Sequence, residues 1–106
     1  MGCLSEENHL HLSKILDKWV REHVKDLGGV VRIKIETMPE YKKIHIIFYS
    51  CQITESSRSL IRRFVSDSFK QQVIDVLPWK QVRLRGYPRE RFDDNCRWTF
   101  EQKRAK

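Results

Sequence analysis

The stretch VVRIKIETMPEYKKIHIIF, Val30–Phe48, decides the fold. Val31, Ile33, Ile35 and Thr37 alternate with Arg32, Lys34 and Glu36. Strict alternation marks a strand with one buried and one wet face. Met38-Pro39-Glu40-Tyr41 is a turn signal, and Ile44-His45-Ile46-Ile47-Phe48-Tyr49 is a second strand. The two form an antiparallel hairpin. Ile46-Ile47-Phe48 is apolar on both faces, which places the second strand deeper in the sheet than the first.

A helix pattern lies on each side of this hairpin. Leu12, Ile15, Leu16, Trp19, Val20, His23, Val24 and Leu27 recur at three- and four-residue spacing, with Ser5 as N-cap and Gly28-Gly29 as the stop. Leu60, Ile61, Phe64, Val65, Phe69 and Val73 make a second stripe, capped by Thr54 and ended at Leu77-Pro78. A third strand follows at Val82 and Leu84, alternating with Gln81, Arg83 and Arg85. Gly86-Tyr87-Pro88 reads as a turn, and Cys96, Trp98 and Phe100 as a fourth strand. The expected fold is a two-layer α-β-β-α-β-β sandwich of class α+β. A four-stranded antiparallel sheet carries both helices on one face. Its other face is left open and carries Arg32, Lys34, Arg83, Arg85 and Arg97 if the register holds.

The chain of 106 residues is expected to form one domain, residues 1–106, with residues 1–4 and 102–106 as disordered ends. No apolar run reaches the roughly 18 residues of a membrane span, so no membrane partner is expected. The N-terminus lacks the basic and apolar regions of a secretory signal. Met1-Gly2-Cys3 suggests acylation, but Glu6 stands where the myristoylation pattern wants Ser or Thr. Cys3, Cys51 and Cys96 are an odd number without CxxC spacing, as expected for free thiols in the cytoplasm or a nucleus.

Charge distinguishes the halves. Residues 1–53 hold 8 Lys/Arg against 7 Asp/Glu, whereas residues 54–106 hold 13 against 7. Nine of those 13 are Arg, the residue suited to bidentate phosphate contact and to stacking. In the second hairpin Lys80, Arg83, Arg85, Arg89, Arg91 and Arg97 interleave with Trp79, Tyr87, Phe92 and Trp98. Basic side chains neutralise phosphates, and aromatic rings stack on unpaired bases. The expected function is therefore that of a small basic nucleic-acid-binding or regulatory protein, with DNA or RNA as partner. Its expected contact residues are Lys80, Arg83, Arg85, Tyr87, Arg89, Arg91 and Arg97, extended by Arg58, Arg62 and Arg63 of the second helix. The bland reading is a solvated basic surface with the tryptophans and Phe92 in the core. The alternative function is an interaction module that binds an acidic protein or homodimerises through a sheet edge.

Enzymatic chemistry has little support. His9 and His11 are two apart and point in different directions on a helix, and structural zinc wants four ligands, so no metal is expected. Asp93-Asp94-Asn95 suits a turn better than a metal nuclease site. Neither Ser50 nor Cys51 has the context of a nucleophile. Gly28-Gly29 ends a helix, the wrong polarity for a phosphate loop. No cofactor and no catalytic residue are expected.

Overall fold

The structure, a computed structural model, describes residues 4–29, 31–49, 54–79, 81–88 and 96–103. Helix α1 (Glu6–Glu22) starts where Ser5 Oγ accepts the Asn8 N–H at 3.1 Å. It buries Leu12, Leu16 and Val20. It ends before Leu27, the limit expected from the apolar spacing. At this end the His23 N–H is shared between the Trp19 carbonyl (3.1 Å) and the Val20 carbonyl (3.2 Å), and the His23 ring, with Nδ1 2.8 Å from the Trp19 oxygen, stacks on Trp19. Hydrogen-bonded turns then run to Gly28. There the Gly29 N–H reaches the Val24 carbonyl and the Gly28 N–H reaches that of Lys25. This is a Schellman closure, and the positive φ of Gly28 (79°) supplies its left-handed residue.

Strands β1 (Arg32–Met38) and β2 (Lys43–Tyr49) form the expected hairpin. The second helical segment covers residues 55–76 without a break. It comprises α2 (Glu55–Arg63), a π-helical stretch (Phe64–Phe69) and α3 (Lys70–Val76). Thr54 Oγ1 caps its start by accepting the Ser57 N–H. Ser57, Ile61, Val65, Phe69, Val73 and Leu77 are all buried, every fourth residue in turn. An α-helix advances about 100° per residue, so a strict four-residue repeat drifts by roughly 40° each step. The π turn, closed by the Lys70 N–H on the Val65 carbonyl, is wider and takes up part of that drift. It keeps the stripe on the sheet.

Strands β3 (Val82–Pro88) and β4 (Cys96–Gln102) complete one antiparallel sheet in the order β1-β2-β4-β3. The two inner strands are the second strand of each hairpin, as the apolar character of β2 implies. Both helical segments pack on one face. Trp19 meets Phe48 edge-on at 6.5 Å, and Phe69 meets Phe100 at 6.2 Å. The expected α+β sandwich is therefore present.

Three local expectations need correction. Gly86-Tyr87-Pro88 continues β3 instead of turning. Gly86 pairs with Trp98, and a Cβ there would lie 3.0 Å from Trp98 Nε1, so the glycine makes room for the indole. Pro88 is tolerated because β3 is an edge strand. Leu4 is not a disordered end: it is buried in the core. Gln102 closes β4, and the Lys103 N–H bonds the Gln81 carbonyl. Residues 1–3 and 104–106 lie outside the described residues.

Candidate nucleic-acid interface

The register divides the sheet residues into two sets. Ile33, Ile35, Ile44, Ile46, Phe48, Cys96, Trp98, Phe100, Val82 and Leu84 face the helices. The opposite face presents three rows: Lys34, Ile47 and Arg97; Glu36, His45, Thr99 and Arg85; Met38, Lys43, Glu101 and Arg83. Arg32 and Tyr49 extend it. Arg32, Lys34, Arg83, Arg85 and Arg97 therefore share one face, as the alternation implies. Trp79 and Trp98 are buried in the core, as the bland reading of the second hairpin expects.

Several candidate contacts are not brought to this face. Arg62 and Arg63 are exposed on α2, and Arg58 is half-buried there. That helix lies in the layer behind the sheet, so these three residues do not extend the basic face. Lys80, Arg89, Arg91 and Phe92 lie outside the described residues, as do the side chain of Tyr87, Ser50, Cys51 and Asp93-Asp94-Asn95.

Glu101 organises one end of the open face. It is only 7% exposed, yet it meets three cations. Its Oε1 accepts from Arg83 Nε at 3.1 Å and Nη2 at 2.9 Å, and lies 3.2 Å from Arg85 Nε. Lys43 Nζ sits 3.7 Å from Oε2. One carboxylate cannot neutralise three cations, so it holds them in place and leaves an excess of positive charge. Around it is a groove of about 770 Å³ lined by Glu40, Tyr41, Lys42, Lys43, Gln81, Arg83, Arg85, Glu101, Gln102 and Lys103.

Tyr41, Lys42, Lys43 and Lys103 are absent from the contact set expected from sequence. Tyr41 is 63% exposed, an unusual position for a large ring. The β1–β2 turn holds it there: Pro39–Tyr41 form a 3₁₀ turn and Lys42 takes a left-handed φ of 50°. The Lys42 carbonyl accepts the Gln102 N–H at 3.1 Å, which ties the turn to the end of β4. The available signal was the run Tyr41-Lys42-Lys43, an aromatic beside two lysines at a turn.

In the middle of the face, His45 lies between Met38 and Thr99. Its Nε2 is 3.0 Å from Met38 Sδ and its Nδ1 is 2.7 Å from Thr99 Oγ1. A thioether only accepts, so Nε2 carries the proton and Nδ1 accepts from the threonine hydroxyl. Burial of the ring, followed by the Arg97 charge, holds the His45 pKa below its ordinary 6.5; Lys43 adds to this, and Glu36 and Glu101 oppose it. Arg97 has a buried Nε without a hydrogen-bond partner among the described residues. Ile47 is buried between Lys34 and Arg97 in the register, whose long stems can cover it.

Among the described residues, no three His, Cys, Asp or Glu side chains come together as a metal ligand set. No helix there is long and apolar enough to cross a membrane. Comparison with protein families, curated proteins and solved structures finds no match for this chain.

Proposed function

We propose that this protein binds nucleic acid through the open face of its sheet, with a regulatory role as the natural use of such a small domain. The observation that carries this reading is the one-sided placement of charge. Arg32, Lys34, Lys43, Arg83, Arg85 and Arg97 lie on the face away from the helices, against Glu36 and Glu101. The groove at its end adds Lys42 and Lys103 against Glu40. A cationic surface of this kind suits a phosphate backbone, whose neutralisation releases counterions. A reducing compartment, the cytoplasm or a nucleus, belongs to this reading, and the odd cysteine count without CxxC spacing is consistent with it.

An acidic protein surface is the second reading, because it would be recognised by the same cations. Pairing through a sheet edge has less support. Edge strand β1 carries Arg32 and Lys34, and edge strand β3 ends in Pro88. Charge and proline on edges oppose strand addition.

The test is charge reversal at positions that do not hold Glu101. A variant with Arg32→Glu, Lys34→Glu, Lys42→Glu and Lys103→Glu is expected to fold and to lose binding to DNA and RNA oligonucleotides. Undiminished binding by the folded variant would overturn the reading. Absence of binding by the unmodified protein, with an acidic protein recovered in its place, would favour the second one.

A further inference from the structure

Among the described residues, the groove around Glu101 differs from the rest of the open face in one respect: it has an exposed aromatic ring beside its cations. We infer that it is a single-strand subsite, in which Tyr41 stacks an unpaired base while Lys42, Lys43 and Lys103 take the adjacent phosphates. This rests on the nucleic-acid reading of the open face and assigns that reading a substrate class, unpaired strands over duplexes.

The geometry points there for three reasons. First, the ring is available. Tyr41 is 63% exposed, and its contact with a charged group is Lys43 Nζ, 6.0 Å from the ring centroid. A base can lie on an exposed ring face; a base inside a duplex cannot reach one, because its faces are covered by its neighbours. Second, the turn that carries the ring is held. The left-handed Lys42 and its carbonyl bond to Gln102 fix the turn against β4, so little order has to be gained on binding. Third, the cations beside it are prearranged. Glu101 positions Lys43, Arg83 and Arg85 along the floor, and the Lys103 N–H bond to the Gln81 carbonyl ties the opposite wall to β4. The net charge of the lining is positive, which suits a phosphate chain and does not suit an uncharged aromatic ligand.

The test is fluorescence anisotropy at low salt with a labelled 12-nucleotide single strand, as DNA and as RNA of one sequence, and with the matching duplex. The proteins are the unmodified chain, Tyr41→Ala, Tyr41→Phe and the double variant Arg32→Glu/Lys34→Glu. The ring is exposed, so both Tyr41 variants are expected to keep the thermal midpoint. Tighter binding of single strand than duplex is expected. Tyr41→Ala should weaken single-strand binding on the order of 10-fold, as loss of one stacked base does, and leave duplex binding unchanged. Tyr41→Phe should bind like the unmodified protein. If Tyr41→Ala binds single strands undiminished while Arg32→Glu/Lys34→Glu has lost them, the subsite is overturned and the reading of the face stands. Preference for duplex also overturns the subsite. If the unmodified protein binds none of the probes, both fall together.

Discussion

Arg83 and Glu101 face each other across β3 and β4, and the guanidinium gives one carboxylate oxygen two hydrogen bonds, from Nε at 3.1 Å and Nη2 at 2.9 Å. Glu101 also serves Arg85 and Lys43, whereas the three cations are much more exposed than the carboxylate they share. The two ends of the pair are thus unequal. Arg83→Ala leaves Glu101 with two cations. Glu101→Gln leaves three cations facing one another, although their exposure lets water take up part of the charge. The expected costs are about 0.5–1 kcal/mol for Arg83→Ala and about 1–2 kcal/mol for Glu101→Gln. Urea denaturation checks the order; equal costs would show that Glu101 has no role beyond the Arg83 pair.

Gly86 and Trp98 are paired positions, and the indole lies where a side chain on residue 86 would go. Trp98 is buried and packs edge-on against Phe48 at 5.6 Å, so it has little room to yield. Gly86→Ala is expected to destabilise by about 1–2 kcal/mol, although alanine normally improves a strand. A lowered thermal midpoint, with altered tryptophan fluorescence, checks it. A stabilised Gly86→Ala would show that the indole moves freely.

His45 gives the fold a pH dependence of definite sign. Its folded pKa lies below the ordinary 6.5, so the unfolded chain binds more protons near that pH. The stability associated with neutral His45 is complete above pH 6.5, falls as the pH drops through it, and levels off below the folded pKa. Protonation also turns Nδ1 from acceptor to donor and forces the Thr99 hydroxyl to reorient. Urea midpoints from pH 8 to 5 should decline for the unmodified protein and decline less for His45→Gln. Identical profiles would remove His45 as the cause.

Much of the fold was legible because its signals are local. Alternation in Arg32–Thr37 and Val82–Arg85 assigned side chains to faces correctly, and Ser5, Thr54 and Gly28 marked helix ends. The misreadings came where a long-range partner overrides a local signal. Gly86-Tyr87-Pro88 has turn chemistry, but Trp98 from the neighbouring strand explains its glycine. The candidate site was only partly legible for the same reason. Glu101 is one acid in a basic hairpin until the register places Lys43, Arg83 and Arg85 around it. Tyr41 reads as a turn residue until the groove beside it is known. Arg62 and Arg63 are basic like the open face, and only the layering shows that they lie behind it.

The apolar stripe Leu60, Ile61, Phe64, Val65, Phe69 and Val73 was visible in the sequence, but the four-residue repeat of the buried set from Ser57 to Leu77 was not, and its departure from 3.6 residues per turn calls for the π stretch. Phe69 sits at the end of that stretch, fully buried between Phe64 and Phe100. Phe69→Ala is expected to cost about 3–5 kcal/mol, a large part of the stability of a domain this size. Chemical denaturation measures it; a cost below about 1 kcal/mol would show that helix and sheet close over the gap.

If phosphates are held by the open face and its end groove, binding must weaken with salt. Binding of a single-stranded oligonucleotide is measured from low to high salt for the unmodified protein and for Lys42→Gln/Lys103→Gln. For single strands the logarithm of the association constant falls with log salt by about 0.7 for each phosphate neutralised. A steep fall is expected for the unmodified protein, and a slope shallower by roughly 1.4 for the double variant. A flat dependence, or one that the double substitution leaves unchanged, would contradict it.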